Sequence, residues 1–230
     1  MATQYAGNSG YIGKSGSGGW AAIRDASSGS AYDNPASGRS TVSIYAQHAS
    51  GRGGSSYVVY RSFLYFDTSG ITGTLSNATL KIYGYYSGTA DVIAVKSDAF
   101  GGDGGTALAN ADFNNFDTST PYSSELATWS TSGYNDITLN ATALTDIKNN
   151  NAFILCLMEH DYDYSDSAPS STLVRAGMYY DNYTGTSRDP YIDYTLTATG
   201  YSNSVNGVAA ANIAGINGVA TANISKVNGI

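Results

Sequence analysis

The stretch Arg61-Ser62-Phe63-Leu64-Tyr65-Phe66-Asp67-Thr68-Ser69-Gly70-Ile71 constrains the fold of this chain more than any other. Apolar and aromatic side chains fall on both parities of the run. As a strand it has no face to offer water, so it predicts a central strand of a packed sheet. Shortly after it, Leu75–Gly84 alternates without a break, with Ala78, Leu80 and Ile82 on one parity and Thr79, Lys81 and Tyr83 on the other. Period two over that length predicts a strand with one buried face.

Further runs of the same kind predict strands at Thr41–Ala46, Tyr57–Phe66, Ala78–Tyr85, Asp91–Lys96, Asp136–Leu139, Ala152–Glu159, Thr172–Tyr180 and Tyr191–Thr197. Asn140 is placed to cap one short helix, Ala141–Lys148, whose apolar Leu144 and Ile147 stand three apart. Residues 1–40 are Gly/Ser-rich and aperiodic, and predict an extended arm whose one short strand is Trp20–Asp25. Residues 97–127 read as loops pinned by Phe100, Phe113, Phe116 and Tyr122. Many short strands with turn chemistry between them and a single helix predict a mainly-β protein, one antiparallel β-sandwich over 41–199.

The central pairing, RSFLYFDTSGITGTLSNATLKIYG, resembles the signature of DNRLRE-type modules, jelly-roll sandwiches similar to carbohydrate-binding modules. The segment TWSTSGYNDITLNATALTDIKNNNAFILCL is similar to that family's Trp-to-strand, short helix and buried strand, and SRDPYIDYTL to its terminal strand. The resemblance covers roughly residues 15–197 and implies a jelly-roll-like fold. Its bearing on function is weak, because such modules occur on extracellular enzymes, cell-surface proteins and phage virion proteins alike.

Composition narrows the function. Only 13% of residues are charged, Tyr numbers 20 and Gly 27, and the net charge is −7. An acidic balance opposes binding to nucleic acid or to an anionic membrane surface, since neither gains from counterion release or polybasic attraction. The single cysteine, Cys156, lies in an apolar run and reads as an inert core thiol. Met1-Ala2-Thr3-Gln4 opens without a basic and apolar leader, which fits a protein assembled inside a host cell; a removed signal is the other explanation.

The last segment, 200–230, is different in kind. It reads VNGVAAANIAG, INGVATANISK, VNGI, with Asn-Gly at 206–207, 217–218 and 228–229, a period of 11. As a helix, that period lines up Val205, Val208, Ile213, Ile216, Val219, Ile224 and Val227 in one apolar stripe. Against a helix stands the recurrent Gly, and Asn-Gly favours short strands turning at each repeat. A disordered linker is a third reading. Recurring Asn and Gly argue against a membrane span. An apolar stripe that the tail cannot bury within itself predicts self-association or docking into a neighbouring subunit. Similar repeats resemble tails of phage structural proteins.

No catalytic constellation emerges. His48 and His160 are the only histidines, neither has a partner at metal-ligand spacing, and no Gly-x-Ser-x-Gly elbow is present. The loop Glu159–Asp166 concentrates acids and tyrosines and reads first as a solvated turn, second as a calcium site of Asp161, Asp163 and Asp166. Tyr83, Tyr85, Tyr86, Tyr162, Tyr164, Tyr179, Tyr180 and Tyr183 form either a sugar-stacking platform or cross-strand and subunit contacts. The expectation is a non-enzymatic, cofactor-free subunit displayed on a virion or extracellular filament, oligomerised through its tail. The alternative is a module that attaches to glycans.

Overall fold

The computed structural model describes residues 1–51, 54–170, 172–197, 213, 215–216 and 219–220. Its hub is β5 (Gly54–Asp67), the strand of the apolar run, which is paired on both edges. Along one edge lies β2 (Asn8–Gly16), from Asn8 opposite Tyr65 to Gly16 opposite Tyr57. The other edge is shared: β4 (Arg39–Gly51) takes Gly54–Tyr60, and β10 (Ala152–Glu159) takes Ser62–Asp67. A strand that changes partner midway serves both layers of a sandwich, and this explains why neither of its faces is polar.

From β5 the antiparallel sheet runs two ways. Through β4 it passes to β11 (Leu173–Tyr179), β6 (Leu75–Gly88), β12 (Tyr191–Leu196) and β1 (Ala2–Tyr5). Through β10 it passes to β7 (Val92–Ser97) and β8 (Phe116–Pro121). Two strands sit off this path: β3 (Ser30–Asp33) on β2, and β9 (Tyr134–Thr138) on β6. The protein is thus a mainly-β, antiparallel sandwich. Ala78, Leu80 and Ile82 of β6 are buried while Thr79, Lys81 and Tyr83 are half-buried, as the alternation requires. They join Ile12, Phe63, Phe66, Leu155 and Met178 in one core. No helix among the described residues is long and apolar enough to cross a membrane.

α2 (Ala141–Asn149) forms where its cap predicts, the Asn140 carboxamide oxygen accepting the Ala143 N–H at 3.1 Å. It buries Ala143 and Ile147 and packs Leu144 against the core. It is not alone, although the sequence predicts a single helix. Trp20–Arg24, expected as a strand, is the short helix α1, which buries Trp20 and Ile23 at helical spacing. A π-helical turn covers His160–Tyr164.

Residues 1–40 are not an arm. They contribute β1, β2, α1 and β3, and the glycines that give them a linker-like composition are contact points. A Cβ at Gly13 would lie 2.3 Å from the Tyr60 ring, and one at Gly10 would lie 2.6 Å from the Tyr32 carbonyl. Likewise β8 lies within the expected loop 97–127, where Phe100, Phe113 and Tyr122 are indeed buried.

The chain divides into two compact units, Met1–Thr195 and Leu196–Ile230. In the second, β13 (Gly215–Ile216) pairs antiparallel with β14 (Val219–Ala220), Ile216 opposite Val219. The sequence between them is Asn217-Gly218, so the second repeat follows the strand reading rather than the helical stripe. Ile213 is half-buried and Val219 is exposed. Val205, Val208, Ile224 and Val227 lie outside the described residues.

Candidate functional site

Strand parity builds an aromatic face. On β6 the wet parity carries Tyr83 and Tyr85, and β9 sets Tyr134 directly opposite Tyr83. On the next strands Tyr5 of β1 stands opposite Tyr191 of β12, and Tyr179 ends β11. The rings then run in contact: Tyr5–Tyr191 at 5.5 Å, Tyr191–Tyr134 at 4.9 Å, Tyr134–Tyr83 at 5.1 Å and Tyr83–Tyr179 at 5.5 Å. Tyr179 also touches Tyr85 at 5.3 Å and Tyr183 at 4.6 Å.

These rings meet edge to face rather than in parallel. Five of the six contacts have interplanar angles between 70° and 89°, the geometry that the ring quadrupole favours. Two arginines cover their flat sides. The Arg39 guanidinium lies 4.5 Å from the Tyr85 centroid; that of Arg188 lies 4.7 Å from Tyr179 and 5.1 Å from Tyr83, and donates to the Tyr179 hydroxyl at 2.7 Å. Burial, with Tyr191 and Tyr5 close by, holds the Tyr134 hydroxyl well above the usual tyrosine range. The Tyr134 hydroxyl therefore stays a neutral donor, to the Asp189 carbonyl at 3.2 Å.

The tyrosines singled out in the sequence do not form one platform. Tyr85 and Tyr179 belong to this face. Tyr86 stands apart from it beneath Arg175, whose guanidinium is 4.1 Å from the ring. Tyr180 is fully buried, its hydroxyl 3.0 Å from Ser62 Oγ. Tyr162 and Tyr164 pack against the core beside the acidic turn. Tyr5, Tyr134, Tyr191, Arg39 and Arg188 carry no local signal; only the pairing of distant strands gathers them.

The acidic loop is a clasp, and the structure does not gather the three expected calcium ligands around one point. Arg61, fully buried in β5, holds both Asp163 oxygens, Nε to Oδ2 at 2.8 Å and Nη2 to Oδ1 at 2.6 Å. Its remaining donors reach the carbonyls of Phe113 and Arg24, both at 2.8 Å, and its plane lies on Phe113 and Phe116. Glu159, also buried, accepts the backbone N–H groups of Asp161, Tyr162 and Asp163. Burial nonetheless pushes its carboxyl up to about 7. The three expected calcium ligands thus go to three partners. Asp163 is taken by Arg61, Asp166 accepts the Trp20 indole N–H at 3.1 Å, and Asp161 faces His160.

Asp161 does enter one cluster. His160 Nδ1 lies 3.1 Å from Asp161 Oδ1 and 2.8 Å from Glu125 Oε2. Among the described residues this is the one group of three side chains able to hold a metal ion. Cys156 is fully buried and its thiol is pushed well above the usual range by desolvation, as expected of a core cysteine.

No family model matches the chain, and no curated protein is similar to it. Fold and site define a class only: a mainly-β sandwich that presents an interleaved tyrosine–arginine face.

Proposed function

We propose that this chain is a structural, surface-display subunit, a virion decoration, fibre or tail-associated protein or the subunit of an extracellular filament. It meets neighbouring protein through the tyrosine–arginine face and assembles through its C-terminal repeat. One observation carries the reading: the tyrosines are locked edge to face with arginines over their flat sides. Stacking on a sugar ring needs an open aromatic face, and here those faces are shared with Arg39 and Arg188. Tyr and Arg are, in contrast, the residues enriched in protein–protein contacts, where each supplies large area with a polar tip.

A second reading, attachment to glycans, is favoured at one end of the face. There Tyr5, Tyr134 and Tyr191 border an open cleft of about 430 Å³ with Thr3, Thr186, Ser187 and Asp193. Light scattering across a concentration series separates the two, run on the whole chain and on the Arg39→Ala/Arg188→Ala variant. A multimer in the first that weakens in the second supports the subunit reading. A monomer at every concentration, retained on polysaccharide and released by Tyr191→Ala, moves the function to glycans.

A further inference from the structure

We infer that Glu125, His160 and Asp161 form a binding site for a first-row divalent transition-metal ion, with zinc the best fit. The donors come from two segments, Glu125 and the adjacent pair His160-Asp161, whose backbones are already pinned. The Glu125 loop is held to β7 by Leu126 N–H on the Val92 carbonyl at 2.7 Å and by the reciprocal bond at 3.1 Å. The His160 N–H donates to the Asp91 carbonyl at 2.8 Å, and the Asp161 N–H to Glu159 at 3.1 Å. The imidazole is steadied by stacking on Tyr164, 5.5 Å between centroids and 18° between planes.

The spacing fits an ion. Ligand atoms bound at about 2.0–2.2 Å and at tetrahedral or octahedral angles lie about 2.8–3.6 Å apart. Nδ1 stands 2.8 and 3.1 Å from its two carboxylate neighbours, and all three ligand atoms lie within 4.8 Å of one another. An imidazole nitrogen has at most one proton to give, so a proton satisfies one of these oxygens at the other's expense. An ion bonded to the nitrogen and both oxygens satisfies all three. The carboxyl of Asp91 lies within electrostatic range of the same group, adding negative charge on the ion's side of the balance.

Donor chemistry selects the metal. Imidazole with carboxylates suits zinc and its neighbours, whereas calcium asks for six to eight oxygens. Three protein ligands leave a further position to water. Glu125 and Asp161 are exposed and His160 is half-buried, so the ion enters from solvent. Once bound, it ties the loop after β8 to the turn whose Asp163 clasps Arg61. The ligands at 125 and 160 are too far apart in the chain to form any spacing motif.

The test is calorimetric titration of chelator-treated, tag-free protein with Zn²⁺ and, separately, Ca²⁺, alongside imidazole NMR. The expected result is one Zn²⁺ per chain, a shifted His160 ring signal and an unmoved His48 signal. Glu125→Gln, His160→Gln and Asp161→Asn should each weaken binding at least about tenfold, since losing even an outer-shell partner of a metal ligand costs ~10–100-fold. These side chains lie outside the core, and unchanged circular dichroism checks that the variants fold. Absent saturable Zn²⁺ binding, tighter Ca²⁺ than Zn²⁺ binding, or an affinity that survives His160→Gln would each overturn the assignment.

Discussion

Arg61 occupies a position in β5 whose same-parity neighbours are Val59 and Phe63 and whose cross-strand partner in β2 is Ile12. A guanidinium there is tolerable only because Asp163 and two carbonyls complete its hydrogen bonds. Removing one partner of such a pair leaves a buried charge uncompensated, at a cost of about 3–5 kcal/mol. Asp163→Ala should therefore lower the unfolding free energy by that much, read as a lower urea midpoint at an unchanged denaturant slope. Replacing both partners, Arg61→Met with Asp163→Leu, should recover most of the loss. A single variant costing under about 1 kcal/mol would sink the clasp. Asp189 makes a second residue-scale case. It is buried, one of its oxygens has no partner, and desolvation raises its carboxyl from 3.8 to about 6, with Asp181 adding to the effect. The folded state therefore holds this proton more tightly than the unfolded one. The resulting stability is fully present below about pH 3.8 and is lost as pH rises through about 6. Between pH 4 and 7 the melting temperature of the natural chain should fall further than that of Asp189→Asn. Parallel curves would remove Asp189 from the account.

At the scale of elements, the sequence is most legible where burial is one-sided or continuous. The alternation of β6 and the unbroken apolar run of β10 predict those strands, and β10 has the expected bounds, Ala152–Glu159. α2 is legible through its cap. Asn140→Ala should cost about 1 kcal/mol, readable by chemical denaturation, and Asn140→Asp should restore most of it; a neutral alanine variant would mean that tertiary contacts alone hold the helix. The first forty residues were illegible for a physical reason. Their glycines are chosen for close approach to Tyr60 and Tyr32, contacts that exist only once β2 has docked on β5. The candidate site is legible only in part. Tyr83 and Tyr85 follow from parity, but Tyr5, Tyr191 and the arginines arrive from strands far away in the chain. The clasp is not legible within the acidic loop itself, because the partner of Asp163 lies 102 residues earlier. A lone arginine in the most apolar run of the chain was the signal, since such a charge must find a buried counter-ion.

For the whole molecule, the proposed association has two candidate seats, the sandwich face and the repeat. The sandwich unit ends at Thr195 and has its own core, so a chain ending at Gly200 should fold with an unchanged near-ultraviolet spectrum. The repeat carries Lys226 as its only charge and leaves Val219 exposed beside Ile216 in the β13–β14 ladder. A two-residue ladder is too small to form a core alone, and under the proposed assembly a neighbouring copy would supply the missing layer. Static light scattering should accordingly show a multimer for the full chain and a smaller species for the chain ending at Gly200. If the truncated chain is monomeric, the repeat is the assembly device and the tyrosine–arginine face is left for a different protein. If it stays associated and Arg39→Ala/Arg188→Ala then dissociates it, the face joins the copies. Monomer masses for both the full and the truncated chain would defeat the assembly role outright and leave the cleft at Tyr191 as the better guide to function.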